Sequence, residues 1–221
     1  MEINVLESRP AGYAYLLDML GLAGMPHWHT SFVSSSGTHR SKVQDGTIED
    51  IYPVRYWPGE KVGDHLEFAL KYDGVNLGLL ARIFEKAPQE DLAEYIKSKP
   101  TGKYARRIWF FYELLTEKQL PVNDITSGNY VDALEAKKHY TLLKGERSPR
   151  HRIVNNLLGP KAFCPVVRRT EKLSKLDSSD LRKKCEDIVT AYPPELLRRA
   201  LNYLYNKETR SSFAIEHIKP S

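Results

Sequence analysis

Thr101-Gly102-Lys103-Tyr104-Ala105-Arg106-Arg107-Ile108-Trp109-Phe110-Phe111-Tyr112-Glu113-Leu114-Leu115-Thr116-Glu117 is the most apolar stretch in the helical part of the chain. Tyr104, Ile108, Trp109, Phe111, Tyr112 and Leu115 recur at i, i+4, i+5, i+7, i+8 and i+11, which is one broad face of an α-helix. Bases interleaved with rings also suit the stacking of single-stranded nucleic acid. The helical period favours a core helix instead, with its rings inward and Arg106 and Arg107 beside the buried face.

Upstream of this helix the same period recurs. Asp64 is placed to cap a helix carrying Leu66, Phe68, Ala69 and Leu70, stopped at Asp73-Gly74. Leu77, Leu80, Ala81 and Phe84 form a second stripe, and Pro88 starts a third helix that Pro100 ends. Near the N-terminus, Tyr15, Leu16, Met19, Leu20 and Leu22 mark a short helix within 11–22. Between them, 26–58 has no helical period; β-like runs fit 29–33 and 48–54, punctuated by Ser34-Ser35-Ser36-Gly37 and Asp45-Gly46.

Downstream, 122–158 reads as a small β element followed by a short helix over 150–158, closed by Gly159-Pro160. A basic, irregular stretch, 161–177, reads as a linker. Ser178 or Ser179 then caps a helix through Leu181, Cys185, Ile188 and Val189, and Pro193-Pro194 opens the last one, with Leu196, Leu197, Ala200, Leu201, Leu204 and Tyr205 apolar. The expected fold is α+β and predominantly α-helical, with a mixed N-terminal portion and a C-terminal helical segment. The expected domains are an α+β regulatory or recognition domain over 1–160, the linker, and a helical segment over 178–221.

Composition narrows the function classes. The 221 residues are 41% hydrophobic and 28% charged, close to ordinary soluble domains, which excludes a mostly disordered chain, a collagen and a disulfide scaffold. No apolar run approaches the roughly 20 residues of a membrane span, and Met1-Glu2-Ile3-Asn4 has no basic start to a signal peptide. A cytoplasmic location is expected, with Cys164 and Cys185 as reduced thiols used for packing. The net charge of +5 permits a polyanionic partner without requiring one.

Familiar catalytic signatures are absent from the sequence. There is no phosphate loop, no dinucleotide glycine fingerprint and no nucleophile elbow. His27 and His29 would point the same way on a strand but have no third ligand at zinc-like spacing, so no metal site and no catalytic residue are expected. Arg147, Arg150 and Arg152, with His151, form one basic cluster, and Arg168 and Arg169, with Lys172, another; together they are candidate phosphate or nucleic-acid contacts. The 66–84 helix pair with its Asp-Gly turn has the outline of a helix-turn-helix. These features support one functional alternative: a DNA-binding or target-recognition module of a toxin–antitoxin-like transcriptional regulator.

The last residues are more specific. After the helix, Thr209-Arg210-Ser211-Ser212-Phe213-Ala214-Ile215-Glu216-His217 reads as a serine-containing turn, with Ser212 and Glu216 at i, i+4 on one face. The segment resembles the inhibitory helix of Fic-domain AMP-transferases, whose motif is Ser or Thr, three residues, Glu, then Gly or Asn. Ser212 and Glu216 match, and His217 departs from the pattern. The whole chain is similar to the long N-terminal region that precedes the Fic core in some bacterial members. The core's own motif, His-x-Phe-x-Asp/Glu-Gly-Asn-Gly-x-Arg, does not occur.

The resemblance implies a regulatory N-terminal part of a protein adenylyltransferase, with Glu216 blocking the ATP γ-phosphate site of the core. It implies no activity from this chain alone. It assigns ATP and a divalent metal to the core and no cofactor to these residues. The expected partner is the Fic core in cis, or in trans if the chain is a separate antitoxin-like protein. DNA and a second copy of the chain are further partners under this reading, and a membrane is not. The stop at Lys219-Pro220-Ser221, just past the motif, reads as a boundary inside a longer protein.

Overall fold

The computed structural model describes residues 8–22, 27–35, 37–177 and 180–215. The fold is α+β and predominantly helical, and it divides into two compact units, Met1–Arg168 and Arg169–Ser221. Among the described residues, no helix is long and apolar enough to cross a membrane.

The first unit is organised around one buried helix. The short α1 (Tyr13–Met19) is followed by α2 (Val62–Phe68), which widens into a π-turn over Ala69–Asp73, then by α3 (Leu77–Lys86), α4 (Gln89–Ser98) and α5 (Lys103–Thr116). In α5 every residue from Ala105 to Tyr112 is buried, so the helix is surrounded rather than half-exposed. Its rings pack with Leu66 of α2, Leu79, Leu80 and Ile83 of α3, and Leu92 and Ile96 of α4 in one apolar core. Asn76 caps α3 by accepting the Leu79 N–H at 3.1 Å. The cap expected at Asp64 falls elsewhere: α2 begins after Lys61, and Asp64 lies in its first turn, where a carboxylate favours the helix dipole.

A four-stranded sheet lies beside the helices in the order β1-β2-β4-β3, where β1 is Ser8–Ala11, β2 His29–Ser34, β3 Arg40–Gln44 and β4 Thr47–Pro53. The β2–β4 pair is parallel; the β1–β2 and β3–β4 pairs are antiparallel. β2 and β4 were expected from their β-like runs, and β1 and β3 were not. β3 is exposed along its whole length, so it has no apolar alternation to reveal it. Its hairpin does carry a sequence signal. Asp45 and Gly46 both take positive φ (50° and 80°), as a two-residue Asp-Gly hairpin requires.

A smaller sheet, β5-β7-β6, follows α5: β5 is Val131–Asp132, β6 Glu146–Ser148 and β7 Ile153–Asn155. The short helix expected over 150–158 is therefore a turn leading into β7. Ile153 is fully buried, and Arg147 and Val154 pair across β6 and β7, so the sheet ladder and burial override the local helical pattern. Glu113 of α5 fastens this region. It accepts the Trp109 indole N–H (2.7 Å), the Leu120 N–H (3.0 Å), two guanidinium nitrogens of Arg150 and the His151 Nε2 (3.0 Å).

The second unit contains α6 (Glu171–Asp177), α7 (Leu181–Thr190) and α8 (Pro194–Ile215). Residues 171–177 are thus helical within the stretch read as a linker, and the boundary between units falls at Arg168–Arg169. The cap of α7 is Asp180, whose side chain accepts the Lys183 N–H at 3.3 Å; Ser178 and Ser179 lie outside the described residues. The serine turn expected at Thr209–Ser212 is absent, because α8 continues unbroken through it to Ile215. None of this unit's described residues is buried. Cys185 on α7 is exposed rather than a packing residue, while Cys164 is half-buried against the first unit's core.

The Glu113 hub gives a direct test of this architecture. Glu113→Ala takes from Arg150 its nearly buried carboxylate, leaving it Asp124 and the Leu120 carbonyl, and leaves His151 Nε2 and the Trp109 N–H without their acceptor. Removing one side of a buried charged pair costs about 3–5 kcal/mol, and urea unfolding monitored by tryptophan fluorescence is expected to show a loss of that order. A change under about 0.5 kcal/mol, the level of an ordinary surface substitution, would show that Glu113 does not hold the region together.

Candidate functional site

The densest buried polar arrangement lies between the four-stranded sheet and the α2 π-turn. Alternation along β2 and β4 places His29, Ser31, Asp50 and Tyr52 on one face of the sheet. Asp73, at the end of the π-turn, meets that face. Its carboxylate accepts the Ser31 hydroxyl and the Tyr13 N–H (3.0 Å), and its main-chain carbonyl accepts His27 Nε2 (3.0 Å). The approach requires Gly12, which sits at φ 59°. A Cβ there would come within 2.1 Å of Asp73 Oδ2.

Burial pushes the Asp73 carboxyl up to about 7, against the stabilising bonds from Ser31 and Tyr13, and the charge of Asp50 adds to the rise. The neighbouring His29–Asp50 pair behaves differently. Burial pulls His29 below its ordinary value despite the attraction of Asp50. Asp50 is itself held below the usual carboxylate range, because bonds from Ser41, His29 and Tyr52 outweigh its burial. The pair is thus a neutral imidazole whose Nε2 donates to a carboxylate at 2.8 Å, leaving a buried Nδ1 with no partner among the described residues. The rings His27 and His29 expected to share a strand face are split: His27 precedes β2 and bonds Asp73 and Asn76, and His29 bonds Asp50. Among the described residues no group of three or more metal-ligating side chains is assembled.

The arginines singled out in the sequence are largely engaged within the protein. Arg150 is paired with Glu113 and Asp124, donates to the Leu120 carbonyl and lies 4.8 Å over the Trp109 ring. Arg152 donates to the carbonyls of Ile125 and Thr126. Arg147 and Arg152 share the Tyr130 ring, at 5.0 and 5.3 Å. Arg168 lies 3.5 Å over Trp28, and Arg169, in the second unit, reaches Asp177 at 4.0 Å. The structure brings Arg147 and Arg152 to one ring and turns Arg150 toward α5.

Ser212 sits exposed in the last turns of α8, with Tyr205, Thr209 and Phe213 around a shallow hollow on the same side of the helix. Glu216 lies outside the described residues. Leu201 and Leu204, among the apolar positions read for this helix, are more than half exposed. The Asp73 cluster was missed in the sequence because Asp73-Gly74 also reads as a plain helix stop. Its partners Ser31 and Tyr13 lie 42 and 60 residues away. No family model, curated protein or solved structure matches this chain.

The Asp73 carboxyl makes a prediction with a definite sign. Its folded pKa of about 7 lies above its unfolded value, so the stability it contributes is fully present below about pH 4 and is lost as the pH rises to 7. His65, pulled down to about 4 mainly by burial, works in the opposite sense between pH 4 and 6.5. The readout is therefore the difference from Asp73→Asn. Relative to that variant, wild-type unfolding free energy is expected to fall by about 4 kcal/mol between pH 4 and 8. Parallel curves for the two proteins would contradict the buried, protonated Asp73.

Proposed function

We propose that this chain is the regulatory part of a Fic-type protein adenylyltransferase, and that its last helix presents Glu216 to the ATP γ-phosphate site of the catalytic core. One observation carries the reading. α8 runs unbroken for 22 residues to Ile215, with Ser212 exposed four residues before Glu216 in the sequence, and belongs to a unit that buries none of its described side chains. Leu196, Leu201, Leu204, Tyr205 and Ile215 are all more than half exposed. A helix that is apolar on one side yet covered on none offers that side to another surface.

The chemistry follows from the carboxylate. Glu216 accepts a bidentate pair from a core arginine that would otherwise hold the γ-phosphate, and its charge repels that phosphate. Ser212, four residues back in the sequence, orients it. A tethered element acts at an effective concentration of order millimolar, so a weak contact suffices. ATP and the divalent metal belong to the core, which moves AMP to a target hydroxyl; these residues supply the block and no catalytic group. A cytoplasmic location accords with the two free cysteines. The DNA-binding alternative is less well supported, since Arg150 and Arg152 spend their donors inside the protein.

In a polypeptide that joins this chain to its core, Glu216→Gly is expected to raise AMP transfer about tenfold or more, the worth of a charge-assisted pair. Ser212→Ala should act in the same direction more weakly, and with Ser212 exposed its melting temperature should stay near wild type. The chain alone should incorporate no label from ATP. Flat activity in a folded Glu216→Gly protein would refute the inhibitory role.

A further inference from the structure

Away from the buried cluster and from α8, a cavity of about 480 Å³ opens on the first unit, between the 3-10 turn Val54–Tyr56 and the α2 π-turn segment. Its walls combine aromatic rings and charges. Tyr56 and Tyr72 meet at 73° with centroids 5.9 Å apart, over the buried Phe68. Such a corner offers ring surface to a further flat group.

The charges at the cavity divide into those paired with an opposite charge and those that are not. Lys99 bridges both carboxylates, Glu67 at 3.0 Å and Asp64 at 3.6 Å. Glu67 also accepts the Tyr95 hydroxyl. Burial raises the Glu67 carboxyl, but Tyr95 and Lys99 outweigh it and hold the group ionised below the usual range. Arg55 and Lys71 are different. Both are exposed and neither has an acid within ion-pair distance among the described residues; Arg55 lies 5.5 Å from the Tyr56 ring, and Lys71 lies 4.9 Å from the Tyr72 ring and is bonded to the Tyr72 hydroxyl. Two cations without an acid partner beside a ring corner suit a ligand that joins a doubly charged anion to a flat ring. The paired carboxylates at the rim can still accept from hydroxyl or amino donors between the two.

We propose that this cavity binds a mononucleotide, its base against Tyr56 and Tyr72 and its phosphate between Arg55 and Lys71. The volume is within the usual range for small-ligand sites and exceeds what a lone phosphate or a phenyl phosphate would fill. The site uses no residue of the second unit, so it stands or falls separately from the role of Glu216.

The test is calorimetric titration of the full chain with AMP, adenosine, inorganic phosphate and phenyl phosphate. AMP is expected to bind saturably at one site, with each of the other three about tenfold or more weaker. Arg55→Ala combined with Lys71→Ala should weaken AMP by about tenfold or more, the loss of a charge-assisted contact. Both residues are exposed, so circular dichroism should stay unchanged; Arg55→Glu alone gives the same readout should the double variant misfold. The proposal is overturned by the absence of saturable AMP binding up to about 10 mM, or by unchanged AMP affinity in the charge variants. Inorganic or phenyl phosphate binding as tightly as AMP would equally overturn it, since the cavity would then be an anion site without nucleotide recognition.

Discussion

Two arginines in the middle of the most buried helix constrain the first unit. Arg106 and Arg107 are only 7% and 5% exposed, yet a guanidinium stays charged and must keep its donors bonded when water is removed. Both find acceptors in the segment that follows α5, although the buried Arg106 Nε has no partner among the described residues. Arg106 donates to the Asn129 carbonyl at 2.7 Å; Arg107 donates to the Asp132 carbonyl and to Glu135. That segment has little regular structure of its own beyond three short strands. Its path is set by the polar demands of α5 as much as by its apolar residues, and Glu113 extends the same logic to Arg150 and His151. Glu135 answers three cations at once, Lys103, Arg107 and Lys138, and is held down to about 2; its burial, which alone would raise it, is outweighed by them.

How legible this was in the sequence depends on the range of the interactions. The helices α2 to α5 show in the 3.6-residue stripes because each buries a face. β2 and β4 show because they alternate. β3 does not, because both of its faces are exposed, although its Asp-Gly turn was readable in hairpin terms. The 150–158 stretch misleads for the opposite reason: its local pattern is helical, and pairing with distant residues decides the outcome. Arg106 and Arg107 were placed beside the buried face, since nothing local announces carbonyl partners 23 and 25 residues away. At the candidate sites, the Ser212–Glu216 spacing is a local feature and was visible. The Asp73 cluster, assembled from α1, β2 and a π-turn, was not.

The two units differ in how they meet the requirement to bury apolar surface. The first has a continuous core from Tyr13 to Leu157. The second exposes Leu181, Ile188, Leu196, Leu201 and Leu204 by half or more. Exposed apolar area of that extent is the kind of surface that a partner covers. The regulatory reading gives that surface an occupant and gives Ser212 a task, in a chain whose own residues assemble no familiar catalytic arrangement among those described.

The most direct measurement is hydrogen exchange, followed by mass spectrometry, on this chain alone and joined to the Fic-type core proposed for it. Exchange reports local opening, which is slow where packing is dense and fast where little is buried. The account predicts strong protection across Ala105–Tyr112 in both proteins. It predicts protection over Pro194–Ile215 that is weak in the chain alone and rises by about tenfold or more when the core is attached. Equal protection of that helix in the two proteins would contradict the claim that its uncovered face is built to dock on the core.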